Sequence, residues 1–309
     1  MPDSFNKDRS VLIFATNRLS YLEFAFNCAA SILLNNDIAI YIVSNLNESI
    51  PARLKENVTM LSSKPGHAEL GIGMKLYMND YLQTEETVFI DSDCICFDSL
   101  EPIFNACKGM AVTAAGNIVP AANWCGEEQA ETIKREFELD KLIRFNGGLY
   151  YMKKSELTTR IFTIAQGIGY KYDDYGFSRI NGKWINEEAP ISIAMMLHHQ
   201  LPIADDGQYI TDLFTDRRPA QLNVLKEERV LINPPPPSSY HREWYPEKYS
   251  PVLLHFGGSN INSYPYNSQH WLLKLHRLKI NAGISSAFIN LFFHIPYRSF
   301  HWLIQSLKK

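Results

Sequence analysis

The first half of the chain alternates short apolar runs with longer stretches in which apolar residues recur at helical spacing. Each continuous apolar run predicts a strand buried on both faces, and the helical spacing predicts the helices that cover those faces. The predicted strands are "VLIFAT" (11–16), "IAIYIVS" (38–44), residues 58–61, "TVFID" (87–91) and "GMAVTAA" (109–115). Helices are predicted between them, over residues 21–36 and 68–82. This order predicts an α/β fold with a mainly parallel central sheet flanked by helices.

The second half continues the pattern less regularly. "RFNGGLYYMKK" (144–154) predicts a strand that leads into a helix over 155–166, and a further helix is predicted around 187–199. "PVLLHFGG" (251–258) predicts a late strand. The proline-rich segment 233–251 before it predicts an ordered connector rather than a folded unit.

Composition places the chain among ordinary globular proteins, since 46% of its 309 residues are hydrophobic and 20% are charged. No run approaches the roughly 18 to 20 apolar residues of a transmembrane helix, and the polar N-terminus lacks a secretory pattern. The odd number of cysteines and the absence of zinc-ligand spacing predict reduced thiols and a cytoplasmic location. These cysteines are Cys28, Cys94, Cys96, Cys107 and Cys125.

Charge divides the chain into two parts. No acidic residue follows Glu247, whereas seven basic residues do, so the tail carries a charge of +7. Residues 1–247 carry 23 basic against 33 acidic residues, a net charge of −10. This asymmetry predicts that the two parts meet different partners, and it places a boundary near residue 260. We expect a catalytic domain over 1–260 and a basic, aromatic helical tail over 261–309.

Two carboxylates interrupt the most strand-like segment of the chain, "VFIDSDCICF" (88–97). Asp91 and Asp93 come directly after the apolar residues 88–90, and ligands of open α/β sheets bind beyond the carboxyl ends of the strands. Residues two apart on an extended strand project from the same face, so a divalent cation would compensate the two acids. The alternative for such a pair is an exposed turn.

Three further segments follow in an order that, with this one, resembles the GT-A glycosyltransferases, and among them the glycogenin and galactosyltransferase-like family 8. The first block is "GMKLYMNDYLQTEETVFIDSDCICFDSL", and the later segments are "FNGGLYYM" (145–152), "WINEEAPISIAMM" (184–196) and "LLHFGG" (253–258). The resemblance covers about residues 11–260. It implies a Rossmann-like GT-A fold and hexose transfer from a nucleotide-sugar, with a UDP-sugar as the expected donor, to an acceptor hydroxyl.

The resemblance also implies roles for individual residues. Asp91, Asp93 and His255 would hold Mn²⁺ or Mg²⁺. The remaining donor-binding positions would be Ala15, Thr16 and Asn17 at the nucleoside, Lys75 and Ser92 near the diphosphate or sugar, and the glycines Gly147, Gly148, Gly257 and Gly258. Asn146, Glu187 and Glu188 would lie at the reacting sugar, with Glu187 the first choice of the two acids.

Each of these motifs has a plainer alternative. Asn146-Gly147 is also typical of a hairpin turn. Glu187 and Glu188 would both favour a helix N-terminus through its dipole. A single histidine such as His255 on an apolar strand is commonly a core residue.

The chain departs from the family where a lysine that binds the diphosphate often follows the His-Phe-x-Gly motif. Here "GGSNINSYPYNSQHW" follows, and the next lysine is Lys274. Either Asn260, Asn262 or Lys75 replaces it, or the chain is a weakened or inactive relative that binds a nucleotide-sugar or glycan. A sugar-phosphate nucleotidyltransferase is a second alternative, although "FATNRLSYLEF" lacks the glycine-rich loop expected after its first strand.

The resemblance implies retention of anomeric configuration, but Glu187 would equally serve as the general base of an inverting reaction. Residues 170–185 are rich in aromatics and predict either an acceptor-binding loop or an ordinary surface loop. The acidic main body argues against nucleic-acid binding.

The tail, residues 271–309, combines apolar spacing, aromatic residues and basic charge. This pattern predicts attachment to an anionic membrane surface. The family resemblance favours the same attachment, at the inner face of the membrane, and implies a glycan or lipid-linked acceptor for cell-surface synthesis. The alternative is a pair of helices that packs back onto the acidic catalytic domain.

Overall fold

The computed structural model describes residues 8–212, 222–239 and 241–307. Its twelve strands within these ranges are β1 (Arg9–Phe14), β2 (Ala39–Ser44), β3 (Val58–Ser62), β4 (Glu86–Ile90), β5 (Cys94–Cys96), β6 (Val112–Pro120), β7 (Lys141–Lys153), β8 (Ile203–Ala204), β9 (Ile210–Asp212), β10 (Leu231–Ile232), β11 (Lys248–Tyr249) and β12 (Leu253–His255). The α-helices described are α1 (Leu19–Ile32), α2 (Glu101–Ala106), α3 (Ala121–Cys125), α4 (Glu127–Phe137), α5 (Glu156–Tyr170), α6 (Glu188–Leu197), α7 (Tyr264–Arg277), α8 (Ala282–Ile289) and α9 (Ile295–Leu307).

A seven-stranded mixed sheet in the order β3-β2-β1-β4-β7-β6-β8 forms the centre of the molecule. Strands β1 to β4 are mutually parallel where they pair, β7 runs antiparallel to both β4 and β6, and β8 pairs parallel with β6. The predicted α/β fold with a mainly parallel central sheet is therefore confirmed. The antiparallel β7 is the exception.

The centre of the sheet is covered on both faces, which explains the continuous apolar runs of β1, β2 and β4. In β4, Val88 and Ile90 belong to one core cluster with α1, and the intervening Phe89 belongs to the other, with α5 and α6. All three side chains are fully buried. The polar residues that end β4 are thus placed at the rim of a rigid scaffold.

A smaller sheet in the order β5-β12-β9 brings three distant segments together beside that rim. A tight turn connects β4 to β5, in which the Cys94 amide donates to the Asp91 carbonyl at 3.0 Å. Strand β12 is antiparallel to β5 and parallel to β9, so His255 lies opposite both Cys94 and Asp212. This pairing positions the candidate site.

Two elements differ from their prediction. Residues 68–82 do not form a regular α-helix, because Ala68–Tyr81 is a 3₁₀ segment interrupted by non-helical backbone at Gly71 and Tyr77. Gly71 has a positive φ of 58°, and an added Cβ would lie 2.6 Å from the Trp184 ring. The strand predicted over 109–115 begins at Val112 and runs on to Pro120.

The C-terminal helices divide into a packed part and an exposed part. Helix α7 packs on α1, where Asn27 Nδ2 lies 2.7 Å from His270 Nδ1 and Arg277 donates to Asn27 Oδ1 at 2.9 Å. Beyond it, α8 and α9 are joined by a π-helical turn, Asn290–His294, and present many apolar side chains to solvent. Within the described ranges, every helix is too short or too polar to cross a bilayer.

Candidate functional site

Asp91, Asp93 and His255 converge at the carboxyl end of β4. His255 Nε2 lies 3.2 Å from Asp93 Oδ1 and 3.8 Å from Asp91 Oδ2. The two aspartates flank the β4–β5 turn, with Ser92 between them, and the histidine comes from the neighbouring β12. The His255 ring is directed at these two acids, as a ligand of the predicted metal site would be.

Cys94 offers a further atom that could bind a metal beside Asp93 and His255. Ligating atoms of Asp93, Cys94 and His255 all lie within 4.8 Å of one another. Burial raises the pKa of the Cys94 thiol well above its usual value, which disfavours the thiolate that binds metals. Two carboxylates and one imidazole also suit a hard cation such as Mn²⁺ or Mg²⁺ better than a set with sulfur does.

Lys75 lies between two acids of the site, Asp91 and Glu187. Its Nζ lies 2.7 Å from Asp91 Oδ2, 2.9 Å from the Gly147 carbonyl oxygen and 3.1 Å from Glu187 Oε1. Burial alone would lower the pKa of Lys75, but the charges of Asp91 and Glu187 raise it above the usual value. Lys75 is therefore charged and bound to the protein's own carboxylates.

Asp91 and Asp93, the predicted metal ligands, have opposite pKa shifts. Burial raises the pKa of Asp91 despite the neighbouring Lys75 charge. Burial also acts to raise the pKa of Asp93, but the charge of His255 outweighs it and the net shift is downward. For His255, burial would lower the pKa, and the Asp93 charge and the Asp212 hydrogen bond raise it well above 6.5.

The charge balance of the site tests whether a cation fits there. Even with Glu188 protonated, four carboxylates face two cationic groups, an excess of two negative charges. The groups counted are Asp91, Asp93, Glu187, Asp212, Lys75 and His255. Buried charge in such excess needs a counter-ion, so the residues present fit a divalent cation.

Asn146, Gly147 and Gly148 lie inside β7, which excludes a hairpin turn at this point. Asn146 Nδ2 donates to Asp212 Oδ1 at 3.0 Å, and Asn146 Oδ1 accepts from the Gly148 amide at 2.9 Å. An added Cβ on Gly147 would lie 2.8 Å from Glu188 Oε1, and one on Gly148 would lie 3.2 Å from His255 Cγ. Glycine is required here because other side chains approach the backbone closely.

Glu187 and Glu188 both turn into the site at the start of α6. Glu187 is 2% exposed and accepts a hydrogen bond from Tyr150 Oη at 3.2 Å, besides binding Lys75. Glu188 Oε1 accepts from the Gly147 amide at 3.0 Å. Burial and the Glu187 charge raise the pKa of Glu188 to about 7. A helix-dipole role alone therefore does not describe either acid.

The predicted nucleoside-binding residues follow β1, the strand beside β4. Asn17 has a positive φ of 70°, and its amide donates to Asn45 Oδ1 at 2.8 Å while its Nδ2 donates to the Ala68 carbonyl at 2.7 Å. Ala15 and Thr16 precede it at the strand end. These bonds hold the β1 loop at the same rim of the sheet as Asp91.

The segment after His255 contains the remaining predicted residues. An added Cβ on Gly257 would lie 3.2 Å from His255 Cε1, and Gly258 has a positive φ of 64°. The 3₁₀ segment Gly258–Asn262 starts there and includes Asn260 and Asn262. Glycine is thus needed both beside the imidazole and at the turn that follows it.

Asp212 is the residue of the site that sequence reasoning missed. Its Oδ1 accepts from His255 Nδ1 at 2.7 Å and from Asn146 Nδ2 at 3.0 Å. The signal was an acid at the end of a short apolar strand, "YITD", as at Asp91. Residues 213–221, which follow it, lie outside the described part of the chain.

Comparison with known proteins identifies the architecture. No family model matches the sequence, and no curated protein matches it significantly. Among solved structures, the galactosyltransferase LgtC in complex with donor and acceptor sugar analogues matches with a TM-score of 0.50 and 12% identity, over 81% of this chain and 87% of its own. Mouse xyloside xylosyltransferase 1 in its apo form matches with a TM-score of 0.50 and 13% identity, over 82% of this chain and 99% of its own.

A third match is the bifunctional glycosyltransferase WbbM, with a TM-score of 0.50 and 13% identity, over 84% of this chain and 47% of its own. At 12–13% sequence identity, these matches show a shared fold and no more. The chain has the GT-A glycosyltransferase fold, and the resemblance stated from the sequence is confirmed at that level.

Proposed function

We propose that the chain is a divalent-metal-dependent glycosyltransferase that moves a hexose from a nucleotide-sugar, with a UDP-sugar as the expected donor, to an acceptor hydroxyl. The observation that carries the proposal is the convergence of Asp91, Asp93 and His255 at the end of β4 in a GT-A fold. The excess of carboxylates around them supports a role for a cation.

A divalent cation held by Asp91, Asp93 and His255 would offset the negative charge that builds on the departing diphosphate. The protein's own residues supply the rest of the site. Gly147 and Gly148 let the side chains of Glu188 and His255 approach the β7 backbone closely, and Lys75 offsets the charge of Asp91 and Glu187. Since Lys75 is already bound to these acids, Asn260 and Asn262 remain the proposed replacements for the missing lysine.

Glu188 is better suited than Glu187 to exchange a proton near neutral pH. Its pKa of about 7 lets it carry or release a proton there. Glu187 is committed to Lys75 and to Tyr150. We keep retention as the proposed stereochemistry, and determination of the product anomer tests it: an inverted product would assign Glu188 the part of general base.

Donor hydrolysis tests the proposed activity. UDP-, GDP-, ADP- and dTDP-sugars are incubated with the protein, with Mn²⁺ or with EDTA, beside the variant Asp93→Ala. The matched control is Asp140→Ala, whose exposed carboxylate pairs with Lys134 at 2.9 Å. We expect one donor to be hydrolysed only with Mn²⁺, with at least a hundredfold loss in Asp93→Ala and none in the control.

If no donor is hydrolysed but calorimetry still detects nucleotide-sugar binding, the protein is a binding protein rather than an enzyme. The missing lysine after His255 is the feature that favours this second candidate. Turnover without metal dependence would exclude the assigned role of the aspartates.

We also propose that the C-terminal helices attach the protein to an anionic membrane surface. Exposed apolar side chains concentrate on α8 and α9, and Trp302 is the most exposed of them at 69%. The others on these helices and on the π-helical turn between them are Ile284, Phe288, Leu291, Phe292, Ile295, Phe300 and Leu303. Lys308 and Lys309, which contribute to the basic charge, lie outside the described residues. This position suits a lipid-linked acceptor, and the five free cysteines suit a cytoplasmic location.

Deletion of residues 271–309 would be a poor test of attachment, because α7 contributes the buried Leu272 and Leu273 to the core. The combined substitutions Phe300→Ser, Trp302→Ser and Leu303→Ser on α9 leave that packing intact. We expect the variant to lose sedimentation with phosphatidylglycerol vesicles, while Tyr170→Ser, at a site 92% exposed on α5, keeps it. Unchanged sedimentation of the triple variant would rule out α9 as the anchor.

A further inference from the structure

His255 has two ring nitrogens, and each faces a carboxylate. Its Nε2 faces Asp93 and Asp91, the proposed metal ligands, while Nδ1 lies 2.7 Å from Asp212 Oδ1. An ionised carboxylate only accepts hydrogen bonds, so Nδ1 carries a hydrogen toward Asp212. When Nε2 gives up its hydrogen, Nδ1–H still donates to Asp212, and the lone pair of the neutral imidazole is on Nε2, on the side of the two aspartates.

Asp212 is itself held in place. The same oxygen that accepts from His255 also accepts from Asn146 Nδ2, and the Asn146 amide is fixed at its other end by the Gly148 amide. The β9–β12 pairing places the Asp212 and His255 backbones opposite each other. The chain from Gly148 to His255 is thus continuous through hydrogen bonds.

We propose that Asp212 is a positioning residue, which fixes the His255 ring and its Nδ1–H form so that Nε2 is available to a divalent cation. This proposal rests on the proposed function and deepens it. Carboxylates that accept from the second nitrogen of a metal-ligating histidine orient the ring, and their loss commonly weakens metal affinity about 10- to 100-fold. Asn146 then acts on the metal site through Asp212, in addition to any contact with a sugar.

The first experiment measures Mn²⁺ affinity by calorimetry without donor, so that it does not depend on turnover. We expect Asp212→Ala to weaken Mn²⁺ binding at least tenfold. Asp212→Asn retains an oxygen that accepts from both His255 and Asn146, so its affinity should stay within about threefold of wild type. The control Asp206→Ala lies in the loop that precedes β9. Its carboxylate accepts from the Gln208 amide and side chain, and the variant should bind Mn²⁺ as wild type does.

Three results would overturn the proposal. They are an Asp212→Ala affinity within threefold of wild type, an equal loss in the asparagine and alanine variants, and no Mn²⁺ binding by the wild-type protein. The last would also refute the proposed function, whereas the first two would leave it standing if the wild-type protein still turns over a donor.

A second measurement does not depend on whether the alanine variant folds. Long-range ¹H–¹⁵N correlation spectra of the wild-type protein with bound Mg²⁺, which is diamagnetic, report the protonation of each histidine nitrogen. We expect the hydrogen of His255 on Nδ1. A hydrogen on Nε2 would overturn the proposal.

Discussion

Replacing Lys75 by methionine removes a buried cation from between two carboxylates. The side chains of Lys75, Asp91 and Glu187 are 12%, 20% and 3% exposed, and the Lys75 ammonium lies 2.7 Å from Asp91 and 3.1 Å from Glu187. Removing one partner of a buried ion pair costs about 3–5 kcal/mol because the remaining charge is left uncompensated. We expect a loss of that size in the free energy of unfolding, measured by urea denaturation in EDTA.

Two further variants serve as controls for the loss of unfolding free energy in Lys75→Met. Lys64→Met breaks an ion pair with Asp80 in which the lysine side chain is 51% exposed, so a loss of at most about 1 kcal/mol is expected. Adding Glu187→Gln to Lys75→Met should recover part of the loss, because one of the two unpaired carboxylates is then neutral. A loss below 1 kcal/mol for Lys75→Met would refute the inference that these charges are buried together.

Two other predictions concern Glu188 and the glycine beside it. The pKa of Glu188 is raised from 4.5 to about 7, so between these pH values the folded protein binds more protons and its stability falls as pH rises. Glu188→Gln should remove a slope of up to about 1.4 kcal/mol per pH unit there, measured by urea unfolding in EDTA, and an unchanged slope would contradict the assignment. Gly147→Ala should destabilise the protein by about 1–3 kcal/mol, because its Cβ would lie 2.8 Å from a Glu188 oxygen. Gly167→Ala on α5, where an added Cβ would meet no atom within 4 Å, should stabilise the protein by about 0.5–1 kcal/mol. Equal changes in the free energy of unfolding for Gly147→Ala and Gly167→Ala would contradict this reasoning.

The sequence predicted those parts of the fold whose signal is local. Strands β1, β2 and β4 were predicted because each contains an apolar run that is buried on both faces of the sheet. Asp91 and Asp93 were recognisable because they interrupt such a run at its carboxyl end. His255 was recognisable only through its place in an ordered series of motifs.

Other features depend on contacts that the sequence does not display. The 3₁₀ conformation near Gly71 follows from packing against Trp184, far along the chain. The role of Asp212 depends on the pairing of the three-residue strand β9 with β12, and its partner His255 is 43 positions away. In the same way, the charge change placed α7 in a separate tail, whereas the contact between Asn27 and His270, 243 positions apart, packs α7 onto α1.

If the proposed function holds, the charge balance of the site predicts that a metal is needed for donor binding as well as for reaction. A nucleotide-sugar diphosphate is an anion, and it would approach carboxylates that already exceed the cations by at least two. Lys75 cannot relieve this repulsion, since its charge is already shared between Asp91 and Glu187. A divalent cation at Asp91, Asp93 and His255 would offset two of these negative charges and place positive charge at the rim of the sheet, where the diphosphate would bind. On this argument the cation belongs to the donor-binding surface itself, so the Mn²⁺ dependence expected of donor hydrolysis should extend to donor binding in the absence of turnover.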